Sequence, residues 1–303
     1  MIRAAKGIVF MRSGLLLILI LMHPASDAAQ DRPLPELEPF LKEVRERLQD
    51  DRTLQNNYTY VETRRELKLD KQGRTTDVSE KVFENYPGFP GESRWERLIA
   101  EDGKPVPARE LEEVDRRRQE KAVSYARRLQ EHPEQEQARQ LRQQKEAQQH
   151  ASEVVADLFL VYEIRMLRRE MIDSHSTIAF SLAPRPNAEP RTREGRDLRH
   201  FSATAWVSES DFEVVRVDVA AIHTVKMGLG IGLFARLHEG ARLSFVRRKI
   251  NGEIWLPATS VYEGSARLGL IKVVRQRGES EFTNYRKFSV DTQSSFGPRP
   301  VKP

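Results

Sequence analysis

Phe201-Ser202-Ala203-Thr204-Ala205-Trp206-Val207 is followed, after Ser208-Glu209-Ser210-Asp211, by Phe212-Glu213-Val214-Val215-Arg216-Val217-Asp218. Large apolar residues alternate with small or polar ones on both sides of a run that favours turns. A period of two on each side of a polar turn is the pattern of an antiparallel pair of strands, half buried on one face. The pair is expected to span 199–207 and 212–224.

The same period continues outward in both directions. Toward the C-terminus it predicts strands at 232–249, 254–264, 268–277 and 281–290, with turns at Asn251-Gly252 and Arg277-Gly278. Toward the N-terminus it predicts 160–171 and 175–183, joined at Asp173-Ser174. Consecutive strands with short turns make an antiparallel meander. Between them, 184–197 carries Pro184, Pro186 and Pro190 among charges and is expected to be an exposed loop. Farther upstream, 57–69 and 75–86 flank the turn Asp70-Lys71-Gln72-Gly73 and read as a hairpin, with a third strand at 95–100. Leu34, Leu37, Leu41, Val44 and Leu48 recur every three or four residues, an amphipathic helix over about 35–50.

Residues 107–157 break the pattern. They contain no glycine and are rich in Glu, Gln, Arg and Ala, with an intermittent apolar stripe interrupted at Pro133. Two helices meeting at Pro133 are expected. From Arg109 to Glu146 there are ten basic and nine acidic residues. That mixture suits a solvated helical hairpin rather than a nucleic-acid arm. Two roles fit it: a strut or lid on its own domain, or a surface for a protein partner. The fold class that results is α+β: a large antiparallel sheet that curls into a half-barrel because strands twist, covered by helices and carrying a charged helical hairpin.

The first residues predict a chain exported from the cytoplasm. Arg3, Lys6 and Arg12 precede the apolar run Leu15 to Met22, and small residues follow Pro24. This is the plan of a secretory leader, predicted over 1–29. The run is shorter than the roughly 20 residues a spanning helix needs; an uncleaved anchor is the alternative. The whole chain has 50 Lys and Arg against 45 Asp and Glu, a formal charge of +5, and losing Arg3, Lys6, Arg12 and Asp27 with the leader leaves about +3. So small an excess, dispersed along the chain, argues against nucleic acid as a partner. With no cysteine the chain has no disulfide, no thiol chemistry and no cysteine-ligated metal. A single domain is expected over 30–296, with a disordered tail at 297–303.

Several local patterns resemble the LolA-like family of outer-membrane lipoprotein-sorting proteins, whose half-barrel is shared by the sensor domain of RseB-like proteins. A leader is followed by a helix and the extended Tyr58-Thr59-Tyr60-Val61. The strand–turn–strand 201–218 ends in Arg216-Val217-Asp218. Asn251-Gly252-Glu253-Ile254-Trp255-Leu256-Pro257 is similar to the family's late hairpin, and Phe282 to Phe288 to its closing strand. The resemblance covers about 35–100 and 158–290, and the insertion 107–157 departs from it. It implies a half-barrel, a periplasmic location, an acyl chain, lipid or acylated protein as ligand, and membrane contact no more than transient. It carries no family binding residue onto this chain.

Motifs for catalysis are missing from the sequence. The histidines at 23, 132, 150, 175, 200, 223 and 238 never pair at i and i+4, so no His-Glu-x-x-His helix exists. There is no Gly-x-Ser-x-Gly elbow, and Asp173-Ser174-His175-Ser176 are too close in sequence to form a triad. No enzyme activity, cofactor or metal is expected. The expected function is a periplasmic carrier holding an acyl chain in an apolar cavity; the alternative is an envelope interaction or stress-sensor module that uses 107–157. In Val225-Lys226-Met227-Gly228-Leu229-Gly230-Ile231-Gly232-Leu233-Phe234, glycine alternates with large apolar residues, which admits close approach of a ligand or another backbone. Met227, Leu229, Ile231 and Phe234 are therefore candidates for an apolar lip, against a glycine-marked bend under a helix. Trp206, Phe245, Trp255 and Tyr262 are candidates for the cavity wall, against plain core.

Overall fold

Among the described residues, thirteen strands hydrogen-bond into one sheet: β1 (Tyr58–Leu69), β2 (Thr75–Tyr86), β3 (Trp95–Glu101), β4 (Lys104–Pro105), β5 (Tyr162–Ile172), β6 (His175–Pro184), β7 (Phe201–Ser208), β8 (Val214–Ala221), β9 (Val225–Gly228), β10 (Phe234–Leu237), β11 (Arg242–Ile250), β12 (Ile254–Leu268) and β13 (Lys272–Lys287). Four helices accompany them among the described residues: α1 (Leu37–Asp50), α2 (Ala108–Glu131), α3 (Pro133–Val161) and α4 (Arg193–Leu198). The computed structural model describes residues 32–50, 57–89, 92–228, 234–268 and 272–287. The predicted leader and the tail at 297–303 lie outside the described residues. From Leu34 onward the chain groups as one unit. No helix among the described residues is long and apolar enough to cross a membrane.

Every pairing is antiparallel, and the order is β4-β3-β2-β1-β13-β12-β11-β8-β7-β6-β5. This is two meanders rather than one. The closing strand β13 returns between β12 and β1 and stitches them together. The curled sheet stays open, with β4 and β5 as its edges, and the helical insertion is the connection that runs from one edge to the other. The β9–β10 hairpin branches off where the long β12 outruns β11 and pairs its last residues with β10.

Some boundaries differ from the sequence reading, for physical reasons. Arg277-Gly278 is not a turn: one strand runs through it, pairing Gly278 with Tyr262 and with Glu66. A Cβ at 278 would lie 1.9 Å from a Tyr262 ring carbon, so this glycine marks a close approach inside a strand. The expected strand 232–249 is split at Gly240, whose φ is +84°. The expected strand 212–224 begins only at Val214, because Phe212 takes φ +59° in the turn. Helix α3 persists to Val161, so the next strand starts at Tyr162. The predicted turn Asp173-Ser174 is present, with φ of +44° and +62°, the primed geometry that suits a tight hairpin.

Helix α1 buries its stripe on one face of the sheet, termed here the inner face. Phe40 and Val44 pack with Ile178, Phe180 and Val207, and Leu37, Leu41, Leu48, Ile164, Met166, Leu182, Phe212 and Val214 surround them. Burying each of Phe40 and Val44 contributes about 1.5–3 kcal/mol. The loop 184–197 is not simply exposed. Ala188 and Thr192 are buried, and the Asp157 carboxylate of α3 accepts hydrogen bonds from Arg191 N (3.0 Å), Thr192 N (2.7 Å) and Thr192 Oγ1 (2.6 Å).

Helix α2 lies on the other face. Its Asp115 meets Arg97 at 2.7 and 2.8 Å, and Arg97 pairs across β2 with Glu84, which faces outward beside Val61. Arg118 stacks on Phe89 (3.8 Å) and Trp95 (5.3 Å). No residue of α2 is buried; Arg116 and Arg117 instead pair with Glu113 and Glu120 one turn away, which supports a solvated helix. Pro133 opens α3, where its missing N–H costs nothing.

Candidate ligand-binding face

Cross-strand partners share a face, so register alone traces a row of side chains across the inner face. It begins with Met166, Phe180, Ala205, Val217 and Phe245. It continues with Ser260, Ser280, Arg64, Lys81 and Glu101. The chemistry changes between β11 and β12. The next row repeats the change one strand later: Ile164, Leu182, Ala203, Val219, Leu243 and Tyr262, then Gly278, Glu66 and Ser79.

The apolar part of these rows is not all covered. Met166, Phe180, Leu182 and Ile164 belong to the cluster under α1, whereas Val217, Val219, Leu243, Phe245 and Tyr262 stand outside it. Leu243 is 40% exposed, and the other four are half-buried. They form an apolar strip on β8, β11 and β12, about 10 Å wide at ordinary strand spacing. That width admits an extended acyl chain.

Beyond the strip both rows turn polar, while the row of Glu62 sets Phe282 and Phe83 beside them. Ser260 and Ser280 come first, and Ser280 Oγ donates to Glu62 at 2.8 Å. Arg64 donates to Glu62 at 3.0 and 2.9 Å and to Glu96 at 3.2 Å, and stacks 4.6 Å from the Phe83 ring. Glu62 is only 5% exposed; the guanidinium and the Ser280 hydroxyl offset its burial. The Tyr262 ring lies over Gly278, and its hydroxyl accepts from Gln276 at 3.2 Å. Burial, and then the charge of Glu66, hold this phenol above its ordinary value.

One end of the face is closed by the β7–β8 turn. Its acids are each held by a base: Glu209 by Arg169 (2.9 and 2.7 Å), Glu213 by Arg247 (3.1 Å) and Asp211 by Lys249 (2.7 Å). Trp255 Nε1 also donates to Asp211 at 2.8 Å. Burial pushes Asp211 up, but hydrogen bonds from Lys249, Ser210 and Trp255 outweigh it and hold the carboxyl at about 2. Phe212, at the same turn, sets its ring 5.1 Å from Phe40 of α1.

The residues singled out from sequence do not all meet here. Phe245 and Tyr262 line the strip together. Trp255 plugs the closed end, 2% exposed, its ring 4.8 Å from His175. Trp206 pairs with Ala179 and Arg216 on the outer face, where its Nε1 donates to Glu170 (2.9 Å) under the Arg216 guanidinium (4.6 Å). Met227 and Phe234 belong to the paired strands β9 and β10. Leu229 and Ile231 lie outside the described residues. Sequence reasoning missed Leu243, Val217 and Val219. Their alternation was visible, but its direction needed the register. It also missed the polar border. Among the described residues, no group of three or more His, Asp and Glu is arranged to hold a metal ion.

No family model matches this sequence, and no curated protein matches it. Solved structures do. The chain is similar to an outer-membrane lipoprotein-sorting protein domain from Vibrio parahaemolyticus, with 8% identity over 84% of this chain and 95% of that one, at a TM-score of 0.30. It is similar to a LolA superfamily protein from Nitrosomonas europaea, with 10% identity, coverage of 85% and 97%, and a TM-score of 0.28. A DUF1329 family protein from Desulfovibrio piger gives 12% identity, coverage of 86% and 98%, and a TM-score of 0.30.

Proposed function

We propose that this chain is an exported, periplasmic carrier that holds an acyl chain, of a lipid or an acylated protein, on its inner face. The observation that carries this reading is the apolar strip of Val217, Val219, Leu243, Phe245 and Tyr262, which stands outside the α1 cluster with Leu243 40% exposed. Covering it with an alkyl chain is worth up to ~0.8 kcal/mol for each CH₂ buried. Met227 and Phe234, on β9 and β10, are proposed as part of its lip, together with Leu229 and Ile231, which lie outside the described residues. The strand ends Gly228 and Phe234 pair with each other and adjoin the end of β12, where Ala235 pairs with Leu268. Native mass spectrometry of the protein purified from a bacterial envelope tests the reading. It predicts copurifying acyl lipid, lost in Leu243→Glu with little change in melting temperature. Protein free of lipid that also takes up no fluorescent acyl probe contradicts it.

A second reading rests on a different observation. Val123 and Leu141 of the α2–α3 hairpin are 58% and 60% exposed. An envelope protein docking there would make the chain an interaction or sensor module. Val123→Asp with Leu141→Asp then abolishes a partner's capture and spares lipid binding; capture unaffected by the pair removes this reading.

A further inference from the structure

The polar border of the strip says what kind of head its ligand carries, provided that the carrier reading holds. The groups next to the strip are uncharged hydrogen-bonding side chains: the Ser260 and Ser280 hydroxyls, the Tyr262 phenol and the Gln276 amide. Formal charges begin one strand farther on, and the cations there are already engaged. Arg64 is bonded to Glu62 and Glu96, Lys68 to Asp77 at 2.6 Å, and Lys81 to Glu101 at 3.2 Å. On β1 to β3, those three cations share the inner face with five carboxylates, Glu62, Glu66, Asp77, Glu96 and Glu101. Glu66 is the carboxylate opposite Gly278, the position without a side chain, and so stands next to the Tyr262 ring at the border.

Among the described residues of β1 to β3 on this face, an anionic head meets Arg64, Lys68 and Lys81 only as members of ion pairs. It would have to break the bidentate Arg64–Glu62 pair, leaving the buried Glu62 uncompensated, which is costly. It would also lie beside Glu66, a like charge. A hydroxyl, ester or amide head meets hydroxyl and amide partners and disturbs no ion pair. We infer that the inner face selects acyl amphiphiles with an uncharged head, such as acyl esters of a polyol or acyl amides, and discriminates against free fatty-acid carboxylates and phosphate heads, with Glu66 as the residue that enforces the discrimination.

Competition binding tests this, with monopalmitoylglycerol and palmitate displacing a fluorescent neutral acyl amide from the full chain at pH 8, below micelle formation. The two competitors share their alkyl chain and differ in head charge. The expected result is that monopalmitoylglycerol binds roughly tenfold more tightly than palmitate. In Glu66→Gln palmitate gains roughly three- to tenfold, narrowing the ratio, as expected for removing one nearby like charge. Because Glu66 is exposed, the variant is expected to melt as the parent does. Equal binding of the two competitors, or tighter palmitate, overturns the inference and leaves the carrier reading intact. A ratio that Glu66→Gln does not move removes Glu66 from it. If neither competitor nor the acyl amide binds, the carrier reading itself fails, and the inference with it.

Discussion

Phe180 and Arg64 stand in the same transverse row of the same face, yet their halves of the sheet are held together differently. Around Phe180, on β5 to β7, the face is apolar and a helix is laid on it; the stabilisation is area taken out of water. Around Arg64, on β13 to β2, the face carries ion pairs, Arg64–Glu62, Lys68–Asp77 and Lys81–Glu101, beside the rings of Phe83 and Phe282 in the neighbouring row. Between them lies the strip that belongs to neither, apolar but outside the helix's cluster. A face that changes character across one strand offers an amphiphile a place for each of its ends.

The largest expected effect on this contrast is at the covered half. Phe40→Ala removes the centre of the α1 contact and should cost about 3–5 kcal/mol, read as a lower denaturation midpoint. Arg169→Met should cost about 3 kcal/mol, because it takes the guanidinium from Glu209 where both are largely buried. A loss under 1 kcal/mol would show that the pinned turn does not anchor the closed end. Gly278→Ala lies at the boundary itself. It should cost about 1–3 kcal/mol by overpacking and push the Tyr262 ring off β13, changing the ring's NMR shifts and weakening acyl binding. A variant with unmoved Tyr262 resonances would mean that the ring does not rest on this glycine.

The smallest effect is at acid pH. Asp211 is held low, so its stabilisation is complete above its unfolded value near 4 and is lost as pH falls toward 2. Asp211→Asn should therefore lose roughly 1–2 kcal/mol at pH 6, a difference that shrinks to a few tenths of a kcal/mol, roughly, near pH 2 and vanishes below it. Melting curves at the two pH values check it; an undiminished difference at pH 2 would assign the effect to packing.

The strand pattern was legible because each strand is half buried, so Leu243 and Phe245, or Ile178 and Phe180, alternate with outward residues. The α1 stripe and the helix pair meeting at Pro133 were legible for the same reason at a period near 3.6. Gly278 was misread as a turn because a glycine that admits a ring and one that allows a bend look alike in sequence. Trp206 and Phe245 both looked like cavity wall; only register sets Trp206 on the outer face with Arg216 and Glu170. The polar border escaped altogether, since Ser260, Ser280 and Arg64 come from three strands that pairing alone brings together.

The central claim is that the strip of β8, β11 and β12 is where an acyl chain lies, and photocrosslinking tests it most directly. A monoacylglycerol with a diazirine near its chain end is bound to the full chain, irradiated, and the adducts mapped by peptide mass spectrometry. The account predicts adducts concentrated on Val217, Val219, Leu243, Phe245 and Tyr262 and competed away by monopalmitoylglycerol. Adducts spread over the α2–α3 hairpin or the outer face around Trp206, with the strip unlabelled, would contradict it.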